Sequence, residues 1–286
     1  MDCKELNAQA VFSLLPKRDV NAHKGDFGKL LLLCGSVGFT GAAWFAAMGA
    51  LRTGAGLVYL GVPEPIYAIE ATKLNEPVVF PLPAQNGMLS EAAIPNILDR
   101  LPQMDAVLLG PGLGQSDGTF AVLKALLENA HCPVVLDADG INLLRGHMDI
   151  LRGRAFPTVL TPHDGEFARL FGPVGADRVE SAKSAALESN SIVLLKGHRT
   201  LITDGQACYR NTTGNPGMAV GGSGDVLAGM LAGLLGQGFS PLEAAACAAW
   251  LHGRAGDLCA SALSETAMLP TDLLNALPQL FRQGGM

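Results

Sequence analysis

Short apolar runs alternate along this chain with longer stretches rich in Ala and Leu, and glycines gather at the junctions between them. Residues 30–34, 106–109, 134–136, 159–160 and 192–195 are apolar throughout and lack polar alternation, which predicts strands buried on both faces. Residues 42–53, 119–129, 179–189, 226–236 and 241–262 read as helices, the last two so rich in Ala and Leu that they belong in the interior. Strands that alternate with helices in this way predict an α/β fold: an open, mostly parallel central sheet with helices on both faces. In such a sheet the parallel strands end on one edge, and ligands bind in the crevice beyond it. The segments that follow the strands here are GSVGFTGAA, PGLGQ, DADG, TPHDGE and KGHRT, so five polar or glycine-rich stretches are expected to meet in one place.

Composition narrows the picture. With 286 residues, 49% apolar and 16% charged, the chain can build a large core, and no Ser-, Gly- or Pro-rich linker divides it; a single domain is expected over 1–286. A formal charge of −6 argues against a broad nucleic-acid surface, though it leaves room for one local anionic ligand. The six cysteines form no C-x-x-C pair, and several sit in apolar runs, where they read as small buried hydrophobes. No secretory leader and no apolar run of membrane-spanning length is visible, so a cytoplasmic protein is expected, with no membrane partner.

The most informative stretch is residues 211–233, NTTGNPGMAVGGSGDVLAGMLAG. Gly221, Gly222 and Gly224 permit backbone geometries closed to other residues, and a helix starting near Asp225 would aim free N–H groups at an anion. Asp225 itself suits a second task, taking a proton from a hydroxyl while those amides hold a transferring phosphoryl group; an ordinary helix cap is the competing role.

GNPGMAVGGSGDVLAG, together with HKGDFG at residues 23–28, GPGLG at 110–114, TPHDGEF at 161–167 and KGHRT at 196–200, resembles the ADP-dependent NAD(P)H-hydrate dehydratases of the ribokinase-like superfamily. The likeness runs in order from about residue 23 to the helix around 251–257. It implies dehydration of the 6S hydrates of NADH or NADPH, driven by hydrolysis of ADP to AMP and phosphate: phosphorylation would turn the ring hydroxyl into a good leaving group. Asp225 matches the acidic residue beside the hydrate hydroxyl and is assigned as the base. Ala42, with Ala43 as its competitor, Gly112 and His163 match hydrate-binding positions. Lys196, Gly197, His198, Arg199, Thr200 and Gly224 match nucleotide-binding positions, with Lys196 and Arg199 expected to meet phosphates.

The same resemblance implies Mg2+ accompanying the nucleotide, a homo-oligomer (a tetramer), and a separate epimerase acting on the R hydrate, because the roughly 22 residues ahead of His23 leave no room for one. ADP against ATP, and NADH hydrate against NADPH hydrate, stay open. The chain departs from the family's usual TPHPGEF and DADALN at Asp164 and in DADGINLL, and a carboxylate at 164 would repel a phosphate. Asp137 and Asp139 follow a strand and suit either a water-mediated role near phosphates or a helix cap, so neither is counted in the site. The rival activity is a small-molecule kinase, which would leave a stable phosphorylated alcohol. A non-catalytic nucleotide sensor would have no need of both Asp225 and KGHRT. An oxidoreductase would need G-x-G-x-x-G after the first strand, where the chain has G-x-x-G-x-x-G.

Overall fold

The computed structural model describes residues 3–285. Its strands are β1 (Lys4–Glu5), β2 (Lys29–Leu33), β3 (Leu57–Pro63), β4 (Val78–Leu82), β5 (Ala84–Gln85), β6 (Met88–Leu89), β7 (Ala106–Leu109), β8 (Val134–Leu136), β9 (Thr158–Leu160), β10 (Ile192–Leu195), β11 (Leu201–Thr203) and β12 (Cys208–Arg210). Ten of them form one sheet in the order β1-β12-β11-β10-β9-β8-β7-β2-β3-β4, and β5 and β6 make a separate hairpin. From β10 across to β4 all neighbours are parallel; β10, β11 and β12 fold back antiparallel at one side. The expected mostly parallel α/β sheet is therefore present.

Each of the five strands read from the apolar runs is found to within a residue. Their uninterrupted hydrophobicity has a plain cause: successive side chains in β2 enter different cores, Leu30 and Leu32 one face, Leu31 and Leu33 the other.

The helices that matter for the site are Thr40–Arg52, Asp164–Phe171, Arg178–Ser189, Ser223–Gly236 and Pro241–Leu263. Thr40–Arg52 and Ser223–Gly236 pack with almost no spacing between backbones. A Cβ on Gly229 would lie 2.0 Å from the carbonyl oxygen of Ala46, and one on Gly49 would lie 2.5 Å from that of Val226. Gly233 against Ala50 continues the same seam in the same direction. The two helices thus run parallel, and both amino ends emerge at the carboxyl edge of the sheet. Pro241–Leu263 is interior, as its composition predicts, with His252 buried among its Ala and Leu residues.

Cys3 and Cys208, which lie outside the apolar runs, form a disulfide that the sequence did not suggest. The reason is pairing at the sheet's edge: β1 lies parallel to β12, with Lys4 opposite Tyr209, which brings the two Cα atoms to 4.6 Å. The other four cysteines are buried thiols, as expected. Among the described residues no helix is long and apolar enough to cross a membrane.

Candidate active site

The five segments that follow the parallel strands do converge, and they are joined by contacts that run from one side of the edge to the other. After β2, Ser36 Oγ donates to the Gly112 carbonyl (2.7 Å) and Gly35 N donates to that of Pro111 (2.8 Å). Gly112, at φ 60°, lies against the helix that begins at Thr40: a Cβ there would sit 2.7 Å from the Ala42 methyl. Ala42 is partly exposed on this edge, whereas Ala43 is sealed beneath Gly35. Gly110 in turn presses on the Asp137 carbonyl, so closely that a Cβ would lie 1.9 Å from its oxygen. Asp139 accepts from Gly114 N and Gln115 Nε2, both at 2.9 Å, and so stitches the β7 and β8 loops together.

On the other side, Asp137 is the hub. Its Oδ1 accepts from Thr161 Oγ1 (2.7 Å) after β9 and from Lys196 Nζ (2.8 Å) after β10. Lys196 Nζ also lies 3.6 Å from Glu166 Oε2. Burial alone would push the Lys196 ammonium toward its neutral form; the two carboxylates outweigh that and hold its pKa above the ordinary lysine value. Glu166 belongs to a reciprocal cap with His163: His163 N donates to Glu166 Oε2 (2.9 Å), and His163 Nδ1 accepts from the backbone N–H groups of Gly165 and Glu166. His163 therefore starts its helix with one ring nitrogen and leaves the ring half exposed at the edge.

Asp225 arrives on the first turn of Ser223–Gly236. That helix starts two residues earlier than the sequence suggests, after Gly222 in the left-handed region (φ 100°), and Asp225 does not cap it. Among the described residues its carboxylate has no hydrogen-bond or ion-pair partner. Burial, reinforced by the negative charge of Asp137 and opposed by Lys196, raises its pKa from the usual 3.8 to about 6. Gly224 spans Lys196: a Cβ on it would stand 3.6 Å from Nζ. Behind this turn, Ser223 Oγ meets buried His252 Nε2 at 3.3 Å, and burial pushes His252 down to about 4, so the ring is neutral at physiological pH. The preceding loop is pinned to Pro241–Leu263 by Asn211 Nδ2 to the Ala249 carbonyl and Thr213 Oγ1 to that of Trp250, both near 3 Å.

The KGHRT run forms the tight connection between β10 and β11, with Gly197 and Arg199 at positive φ and Thr200 Oγ1 bonded to the Gly197 carbonyl (2.9 Å). Gly197, His198 and Arg199 are exposed. The two cations expected to meet phosphates each form ion pairs here, Lys196 as described and Arg199 with Glu5 of β1 (2.9 Å). The unusual Asp164 is neutralised by Arg178 (2.6 Å), whose other terminal nitrogen donates to the Lys196 carbonyl (2.6 Å). The repulsion anticipated at position 164 is thus offset. Arg178, Thr161, Glu166 and Ser36 are site-building residues that spacing alone did not single out, although Thr161 and Glu166 fall inside TPHDGEF.

The chain matches the model of the NAD(P)H-hydrate dehydratase family over residues 30–279. It belongs to that family. It is 46% identical to the bifunctional NAD(P)H-hydrate repair enzyme of Moorella thermoacetica, an alignment covering 94% of this chain and 52% of the relative. It is 31% identical to the ADP-dependent (S)-NAD(P)H-hydrate dehydratase of Listeria monocytogenes, covering 96% and 95% of the two chains. Among solved structures it resembles the ADP/ATP-dependent NAD(P)H-hydrate dehydratase of Bacillus subtilis co-crystallized with ATP/Mg2+, with a TM-score of 0.86, 31% identity and 99% of each chain covered. The chain spans about half the length of the bifunctional relatives it matches. In this chain the glycine-rich turn, the Asp225 that follows it and the KGHRT connection lie together on a single edge of the sheet.

Proposed function

We propose that this chain dehydrates the 6S hydrate of NADH or NADPH at the expense of a nucleotide phosphoanhydride, ADP in the first instance. The observation that carries the reading is Asp225: a largely buried carboxylate, without a hydrogen-bond or ion-pair partner among the described residues, on the first turn of a helix whose amino end is opened by glycines. With the hydrate ring over Ala42 and Gly112, the Asp225 carboxylate takes the proton of the ring hydroxyl as its oxygen attacks the β-phosphorus of ADP, and AMP leaves. The phosphate ester then departs with its C–O electrons, pushed by the ring nitrogen lone pair, and loss of the neighbouring ring proton restores the double bond. The sum is hydrate plus ADP giving reduced nicotinamide, AMP and phosphate, so the water of the hydrate ends in the phosphate. Backbone N–H groups at the Gly222–Gly224 turn face the transferring group, where negative charge is favoured.

The nucleotide is assigned to Gly197, His198, Arg199, Thr200 and Gly224, with Lys196 beneath them, and the hydrate to Ala42, Gly112, His163 and Asp225. Among the described residues no group of three His, Cys, Asp or Glu side chains is arranged to hold a metal ion. Mg2+ is proposed to come bound to the nucleotide's own phosphates. A homo-oligomer, a cytoplasmic setting and a separate epimerase supplying the S hydrate complete the proposal; sedimentation of the purified chain tests the first of these.

The deciding experiment incubates the chain with NADH hydrate or NADPH hydrate and either ADP or ATP, following recovery of reduced-nicotinamide absorbance together with release of phosphate. Equal recovery of the two supports the reading. Consumption of nucleotide with a stable phosphorylated alcohol and no recovered absorbance would make the chain a small-molecule kinase instead.

A further inference from the structure

We propose that Asp137 is a positioning residue of this site: it holds the Lys196 ammonium beneath the Gly224 turn and so keeps that cation from closing on the Asp225 carboxylate. The proposal rests on the dehydratase reading for what Asp225 does, while the pairing itself is geometric. Asp137 is buried (2% exposed) directly after β8, and the same oxygen that binds Lys196 is anchored by Thr161. Glu166, fixed by the His163 backbone N–H, supports the ammonium from the next helix. Lys196 thus has two carboxylate partners holding it in place, although Gly224, the residue adjoining Asp225, lies directly over its Nζ.

Without that restraint, elementary electrostatics brings the cation to the third carboxylate within reach. An ammonium paired to Asp225 would occupy the lone pairs needed for the substrate proton and make the carboxylate a weaker base. The groups facing Asp225 are Asp137, Glu166 and Lys196, together with the buried Cys34 thiol just after β2, and the neutral His252 ring lies against Ser223 on the same turn. Removing the Asp137 charge deletes one like charge beside Asp225 and frees the opposite charge to approach it. Both changes make Asp225 more acidic, so the sign of the effect is fixed.

The test compares wild type with Asp137→Asn, Thr161→Val and Asp137→Glu in two measurements. One is the acid limb of the kcat/KM pH profile with NADH hydrate and ADP. The other is the Asp225 carboxyl titration itself, followed by carbon NMR of labelled aspartate and identified by difference from Asp225→Asn. Asp137→Asn is expected to move both to lower pH by about half a unit or more, Thr161→Val by less in the same direction, and Asp137→Glu to restore much of the wild-type position. A uniform loss of rate with both titrations unmoved overturns the proposal, since that is what a merely structural role predicts. Should Asp137→Asn fail to fold, an unmoved titration in Thr161→Val overturns it equally. The NMR measurement needs no turnover, so a wild-type chain that cannot regenerate NADH ends the dehydratase reading and leaves the test of Asp137 intact.

Discussion

Gly112 and Ala42 face each other across the sheet's edge so closely that the glycine has no room for a side chain: a Cβ would lie 2.7 Å from the alanine methyl and 2.9 Å from the Phe39 Cβ. Its φ of 60° adds a second obstacle for any other residue. Gly112→Val is therefore expected to raise the KM for the hydrate by about tenfold or more, the equivalent of roughly 1.4 kcal/mol, with the KM for ADP little changed. Steady-state kinetics with each substrate varied in turn checks it; an equal rise in both constants would assign Gly112 to general folding.

Asp225→Asn removes the proposed base and keeps the shape. Loss of a positioned general base costs on the order of 10²–10⁴ in rate, so dehydration should fall by that factor while ADP binding, measured by calorimetry, persists. Wild-type turnover in this variant would contradict the assigned role.

The raised pKa of Asp225, about 6, also fixes a pH dependence. A carboxylate in the proposed role of base must be ionised, so kcat/KM is expected to decline below about pH 6. The effect on stability has the opposite direction. A carboxyl that ionises less readily folded than unfolded binds a proton on folding, so stability is lost as pH rises from about 4 to about 6. Asp225→Asn, which cannot ionise, should melt higher than wild type at pH 7.5, with the gain vanishing toward pH 4; thermal scans at the two pH values check the pattern.

Much of the sheet was legible because five strands are apolar without interruption, which only burial on both faces explains. The outer strands were not. β11 and β12 are three residues each, β1 is two, and β3 carries Gly61 and Tyr59 inside its run, so local pattern had little to act on. The amphipathic helix Pro270–Gln283 was likewise not anticipated; it buries Leu273, Leu274, Leu277 and Leu280. At the site, GGSGD and KGHRT pointed to Asp225 and Lys196 through their glycines and charges. The partner of Lys196 lies 59 residues away in sequence and that of Ser36 lies 76 away. Such pairings are made by the sheet order, which no local spacing encodes.

The Cys3–Cys208 disulfide fastens β1 beside β12, and β1 supplies the Glu5 that pairs with Arg199. Reduction should lower the thermal midpoint by several degrees, since a native cross-link contributes about 2–4 kcal/mol, and Cys208→Ser should melt identically with and without dithiothreitol. A wild-type midpoint indifferent to reductant would remove the bond from the account of stability.

The seam between Gly229 and Ala46 has a mechanical meaning. Two helices whose main chains already touch cannot slide or roll past each other, so the ends they present at the sheet's edge behave as a fixed anvil. Whatever adjustment accompanies the arrival and departure of ligands must be made by the surrounding connections, and replacing a single hydrogen on Gly229 by a methyl would loosen the Ala42 and Asp225 ends together.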